Sequence, residues 1–154
     1  MKIRKATRKD IGILTDFCYR EEKLHIKFDK YAELKKDAKK RIYKFLKSNI
    51  ANRNYAAFVA EDKNKIVGII AGAVQKSYFT YKIANIGHLG TAFVLKEYRN
   101  MGIAKELLKR AISWFKSKNI KTADLYVHKR NKIAFNAWKK YGFEEIICLM
   151  RKEI

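Results

Sequence analysis

The chain has 154 residues, 48% of them hydrophobic, and a formal net charge of +21. That apolar share supports a packed core and argues against disorder, so one domain over residues 1–154 is expected. No apolar run approaches the roughly 20 residues of a membrane span, and the basic N-terminus lacks a signal-peptide core, so a cytoplasmic protein without membrane contact is expected.

Lys2 to Ala6 alternates and predicts a first strand. Thr7 with Asp10 resembles a capping box that opens a helix over 8–24. Residues 31–50 place Tyr31, Leu34, Ala38, Ile42, Phe45 and Leu46 at helical spacing, with lysines opposite. Strands follow at 55–61 and 66–76, joined by a hairpin turn at 62–65. A longer strand is predicted at 83–95. Ile103, Leu107, Leu108, Ala111, Ile112 and Phe115 predict an amphipathic helix over 103–118. Another strand spans 122–128. Asn131 caps a short helix that Gly142 stops, and 143–152 predicts one or two closing strands. Hairpins first and crossovers later imply an α/β chain with a mixed sheet and helices on both faces. The two cysteines, Cys18 and Cys148, match no metal or redox spacing and are expected to be buried thiols; no metal is expected.

The junction from Val94 to Lys105 is the most informative segment. Apolar strand residues run to Leu95, helical periodicity starts at Ile103, and a basic turn with Gly102 lies between. A turn opening straight into a helix points several free N–H groups at one spot, where the helix dipole adds positive charge. Such a place binds phosphate, and a glycine allows close approach to the backbone.

Two companions make this junction specific. Arg99-Asn100-Met101-Gly102-Ile103-Ala104 resembles the Gln/Arg-x-x-Gly-x-Gly/Ala signature of the GNAT superfamily of acyl-CoA N-acyltransferases. The preceding Gly87 to Val94 is similar to that family's central strand. Asn131-x-x-Ala134-x-x-x-Trp138-x-x-x-Gly142-Phe143 is similar to its closing motif. The resemblance covers essentially the whole chain. It implies a GNAT-like fold in which two parallel strands, 83–95 and 122–128, splay apart around acetyl-CoA. Backbone groups of Phe93, Val94 and Leu95 would pair with pantetheine like an added strand. The pyrophosphate would meet the N–H groups of Arg99, Asn100, Met101, Gly102, Ile103, Ala104 and Lys105. Asn131 and Trp138 would complete the cofactor side, and Lys105, Arg130 or Lys132 would reach the nucleotide phosphates or simply remain solvated.

The implied reaction is direct attack of an amine on the thioester. An alkyl amine is protonated at neutral pH, so the site needs a proton acceptor, and an acid for the departing thiolate helps. The Val94 N–H is the implied oxyanion donor. His88 titrates nearest neutrality, and period 2 places it on the same face as Val94; it is the first choice of base, with a packed histidine as the alternative. Tyr126 and His128 share a face of the next strand. Where many relatives carry an acidic tyrosine, seven residues after the motif asparagine, this chain has Trp138, which gives no proton to a thiolate. Tyr141, one turn on, and Tyr126 are the substitutes; water is the alternative acid.

The acceptor is a primary amine on a small molecule, a peptide N-terminus or a lysine. Residues 20–35 and 144–150 are expected to hold it, and Glu21, Glu22 and Asp29 would face a cationic amine or simply form a solvated helix end. The positive charge repels polyamines and suits an acidic peptide, a ribosomal particle or nucleic acid nearby. Alternatives on the same fold are a basic polyanion-binding protein and an acyl-CoA sensor without turnover. Either a monomer or a homodimer fits the sequence.

Overall fold

The computed structural model describes residues 1–154. β1 (Lys2–Lys5), α1 (Ile11–His25), α2 (Ala38–Asn49), β2 (Tyr55–Asp62), β3 (Lys65–Lys76), β4 (Asn85–Val94), α3 (Ile103–Ser117), β5 (Ala123–Leu125) and α4 (Lys132–Lys140) follow in order. The strands form one sheet in the order β1-β2-β3-β4-β5. The first four pair antiparallel, and β5 joins β4 in parallel through the α3 crossover. No helix is long and apolar enough to cross a membrane.

Local chemistry explains most of these elements. Asp10 accepts from the Thr7 N–H at 2.7 Å and from the Thr7 hydroxyl at 3.0 Å. The capping box is therefore present, and the chain enters α1 through a 3-10 turn at Arg8–Asp10. Arg4 donates to both Asp10 oxygens at 2.8 and 3.0 Å and to Glu61 at 2.7 Å, which pins that turn to the sheet edge. Lys63 and Asn64 both adopt positive φ, 46° and 66°. That geometry matches the right-handed twist of a two-residue hairpin between β2 and β3.

β2 and β3 are nearly continuous apolar runs, and Val59, Ala60 and Val67 are fully buried between helix layers. α3 packs its Ile103, Leu107, Leu108, Ala111 and Phe115 stripe against one face of the sheet. α1 supplies Leu14, Phe17 and Cys18 to the core; the Phe17 and Phe93 rings meet at 5.2 Å.

β4 is not regular. Ala71 pairs with Thr91, but Gly72 pairs with Leu89, so Gly90 is an extra residue and the strand bulges there. The bulge reverses the alternation. Before it, Leu89 points to the α3 side, where its Cδ2 and the Phe115 ring crowd Gly72. After it, Thr91 lies 3.8 Å from the α1 thiol of Cys18, and Phe93 faces Phe17, whereas Val94 shares the α3 side with Leu107. His88 and Val94 therefore lie on opposite faces, contrary to the period-2 expectation, because the bulge inserts half a pleat between them.

Three further expectations are corrected. The second helix begins at Ala38 rather than at 31. Asp29 accepts the Tyr31 N–H at 3.0 Å, and that side-chain turn competes with helix. Residues 143–152 form no strand. β5 pairs over only three rungs, and its outer edge has no strand partner. The tail is instead fastened by ion pairs of Glu145 with Lys129 and Arg151 with Asp29, at 2.9 and 2.7 Å. Cys148 lies on this tail and is exposed; only Cys18 is buried.

α4 ends as its sequence predicts. Gly142 takes φ 90°, its N–H donates to Lys139, the Phe143 N–H donates to Trp138, and the Phe143 and Trp138 rings meet at 5.4 Å. This is a Schellman ending with its hydrophobic contact.

A methyl group on Gly72 would sit 2.8 Å from the His88 carbonyl oxygen and 2.9 Å from the Phe115 ring. Gly72→Ala should cost about 1–3 kcal/mol through overpacking at the bulge. The expected outcome is a lower denaturation midpoint with an unchanged slope in urea.

Candidate active site

Pairing between β4 and β5 stops at Leu89 and Leu125. Beyond that rung, β4 continues alone toward α3 with one edge open. The Leu95 N–H donates to Val67 at 2.9 Å, so alternation turns the backbone groups of Phe93 and Leu95 toward β3. Those of Ala92 and Val94 face the opening. Of the expected trio, only Val94 offers its backbone to the cleft. Leu95 is buried, and Phe93 contributes its ring to the α1 face. Ala92 is the residue that sequence reasoning missed, because a bulge shortly before it sets the phase.

The turn after β4 is built for an anion. Asn100 and Gly102 adopt positive φ, 62° and 76°. Gly102 is the residue before α3, and no side chain caps the helix. The N–H groups of Asn100, Met101, Gly102, Ile103, Ala104 and Lys105 donate to no carbonyl; the first helical bond comes from Glu106 to Gly102 at 3.1 Å. Space is open beside Gly102: a methyl group there would meet no atom within 4 Å. The Arg99 Nε donates back to the Val94 carbonyl at 3.1 Å and ties the turn to the open edge. Such an array of free amides at a helix start fits a pyrophosphate. Met101 and Lys105 are exposed, whereas Ile103 is buried and offers only its backbone.

The other expected residues scatter around this opening. His88 sits on the penultimate rung, directly opposite Asp124, and its Nδ1 lies 2.6 Å from the Asp124 carboxylate. A carboxylate accepts, so Nδ1 carries a proton, and in the neutral ring Nε2 is the acceptor. Asp124 was not anticipated; the contact exists only through the parallel register. Tyr126 is 85% exposed, with its ring 5.0 Å from His88. Tyr141 packs edge-on against Trp138 at 6.0 Å, within the cluster that closes α4. Asn131 is committed to capping: its Oδ1 accepts from Ala134 at 3.3 Å. Arg130 and Lys132 are exposed. No group of three or more His, Cys, Asp or Glu side chains gathers to hold a metal.

On the same face of the sheet as His88, α1 sends Glu21 into the opening. Its Oε1 accepts the Ala92 N–H at 3.0 Å, and the His25 Nε2 lies 3.9 Å away. Its side chain is only 13% exposed. Burial pushes the Glu21 carboxyl up to about 8, against the pull of the Ala92 N–H, and Glu22 raises it further. His25 is held below its ordinary value, again mainly by burial. His128 lies 6.3 Å from His25 and 6.2 Å from Phe28 between ring centroids. Asp29 and Glu22 were expected beside Glu21; Asp29 is instead paired with Arg151, and Glu22 is exposed.

The fold has counterparts in known proteins. The description of the acetyltransferase (GNAT) family matches residues 18–143. The chain belongs to that family. An N-alpha-acetyltransferase of Sulfurisphaera tokodaii is 30% identical over 112 residues, which span 70% of this chain and 67% of that one. An N-acetyltransferase of Archaeoglobus fulgidus, otherwise uncharacterized, is 29% identical over 95% of this chain and 92% of its own. A predicted acetyltransferase of Clostridium acetobutylicum, solved with acetyl-CoA, superposes with a TM-score of 0.80 at 25% identity, over 99% of this chain and 95% of the other.

Glu21 gives the site a stability signature. Its folded pKa lies above the ordinary 4.5, so folding holds the proton more tightly than the unfolded chain does. The stability it contributes is complete below pH 4.5 and is lost as pH rises through about 8. Glu21→Gln should therefore match the parent below that window. Above pH 8 it should exceed the parent by roughly 2–4 kcal/mol, read from urea denaturation across pH.

Proposed function

We propose that the chain is an acetyl-CoA-dependent N-acetyltransferase that acts on a primary amine. The observation that carries this reading is the run of uncommitted amides from Asn100 to Lys105, placed at the end of the open β4 edge. In this reading the pyrophosphate is held by those amides and by the α3 dipole. Pantetheine lies along β4, and the thioester reaches the Val94 N–H, which stabilises the oxyanion. His88 and Glu21 both approach the opening from the α1 face of the sheet. His88, oriented by Asp124, accepts a proton at Nε2. Tyr126, whose ring lies 5.0 Å from His88, and Tyr141 are the candidate phenols for the thiolate.

A peptide N-terminus is the acceptor best supported. The relative from Sulfurisphaera tokodaii is an N-alpha-acetyltransferase. The net charge of +21 disfavours polyamines and favours an acidic or neutral peptide. His25, Phe28 and His128 frame the side from which such a peptide would enter. The same charge keeps a nucleic-acid or ribosomal surface in view as the place of work, and the cytoplasm as the compartment.

Acetyl-CoA should raise the melting temperature in a concentration-dependent way, and free CoA should appear when peptides with free N-termini are added. Mass spectrometry of the peptide should show one acetyl group on the α-nitrogen. Stabilisation without CoA release would instead identify a sensor. A salt-dependent RNA shift without stabilisation by acetyl-CoA would identify a polyanion-binding protein. His88→Ala, Tyr126→Phe and Tyr141→Phe should be compared across pH. The expected loss is about 10-fold or more for His88→Ala, and full turnover in all three variants would remove these side chains from the mechanism.

A further inference from the structure

We infer that Glu21 is the catalytic residue that takes the proton from the acceptor's ammonium group and that His25 passes this proton to solvent. The inference rests on the acetyltransferase reading and assigns a role inside it.

Geometry carries it first. Glu21 reaches across from α1 to the Ala92 N–H, the first cleft-facing amide beyond the last β4–β5 rung and the bulge. One acceptor direction of Oε1 is used by that amide at 3.0 Å, and the Thr91 hydroxyl is the other group that hydrogen-bonds the carboxylate. No arginine or lysine pairs with this carboxylate; its neighbour at 3.9 Å is the His25 imidazole, itself 35% exposed. A nearly buried acid without a cationic partner is costly to keep unless the partner arrives with the substrate. An entering ammonium supplies that partner beside the point where a carbonyl held by the Val94 amide would be attacked.

The surrounding groups fit the task. Cys18, Glu22 and His25 on α1, Thr91 on β4 and His128 beyond β5 are the titratable or polar groups around it. None is a fixed cation: Cys18 is held protonated by burial, and burial also favours neutral His25. The Glu21 value of about 8 lies close to the roughly 7.7–8.0 of a peptide α-amine, so proton transfer between them is nearly level. Transfer from a lysine, near 10.4, is uphill by about two units.

The step balances. The Glu21 carboxylate takes one ammonium proton. The freed lone pair forms the C–N bond, and the C–S bond breaks with its electrons on sulfur. The nitrogen sheds its second proton to the Nε2 of His88; the thiolate takes a proton from Tyr126 or Tyr141, and His88 returns its own to that phenol. The first proton leaves through His25. Ammonium plus thioester gives amide, thiol and one proton released to water.

The test compares the parent with Glu21→Gln on two acceptors. One is a peptide with an ordinary α-amine; the other is the same peptide beginning with an aminooxyacetyl group, whose nitrogen is uncharged at neutral pH. At pH 7.5, Glu21→Gln should lower kcat/KM at least 100-fold for the amine and less than 5-fold for the aminooxy peptide. The rising limb of the pH profile should move toward the acceptor's own pKa. Stabilisation by acetyl-CoA should persist, since glutamine keeps an acceptor for the Ala92 N–H. Glu21→Asp provides the second variant and should retain more amine turnover than Glu21→Gln. Equal losses on both acceptors, or no loss, would overturn the assignment while leaving the acetyltransferase reading intact. A parent chain that releases no CoA with any amine would overturn the reading itself.

Discussion

A strand that outruns its neighbour must find other partners for its backbone, and the site follows from that requirement. β4 loses β5 after Leu89, so the cleft-facing groups of Ala92 and Val94 have no ladder. Each buried N–H or C=O left alone costs a hydrogen bond's worth of free energy. The chain answers locally with Glu21 on the Ala92 N–H and Arg99 on the Val94 carbonyl. Both are side chains from other elements, and both can exchange their partner for a ligand without unfolding the sheet. The rigid β2–β3 core behind them keeps the open edge from collapsing onto itself.

The anion site and the proton site depend on opposite electrostatic devices. At the α3 start, positive character comes from amides that need no titration and stay fixed at any pH. At Glu21, a single acid is buried in a chain of net charge +21, yet no lysine or arginine contacts it. Basic side chains coat the exterior, where solvent screens them, and none of them pairs with Glu21. An amine can therefore enter as a cation even though the protein as a whole repels one.

Much of this could be read along the chain because it is encoded locally. The Thr7–Asp10 box, the Asn64 turn, the α3 stripe, the Gly102 junction and the Gly142 ending each depend on residues a few positions apart. What could not be read is encoded across the chain. Asp124 meets His88 through parallel register, and Glu21 meets Ala92 across 71 positions of sequence. The burial that shifts Glu21 is a property of the packed sheet, so an exposed helix end was the natural expectation. Apolar residues at Ile146, Ile147 and Leu149 signal strand, but a three-residue β5 gives them no ladder to join, and they remain exposed.

The bulge at Gly90 behaves as a parity bit. Strand alternation carries one piece of information, inside or outside, and each inserted residue inverts it for everything downstream. Residues 85–89 are read in one parity, and residues 91–94 in the other. Loops such as 77–84 tolerate changes of length, because the next element can absorb them. The segment between Leu89 and Ala92 cannot: losing one residue would send Phe93 toward α3, Val94 toward α1, and the Ala92 amide away from Glu21. Chain length here is as much a part of the site as the identity of any side chain.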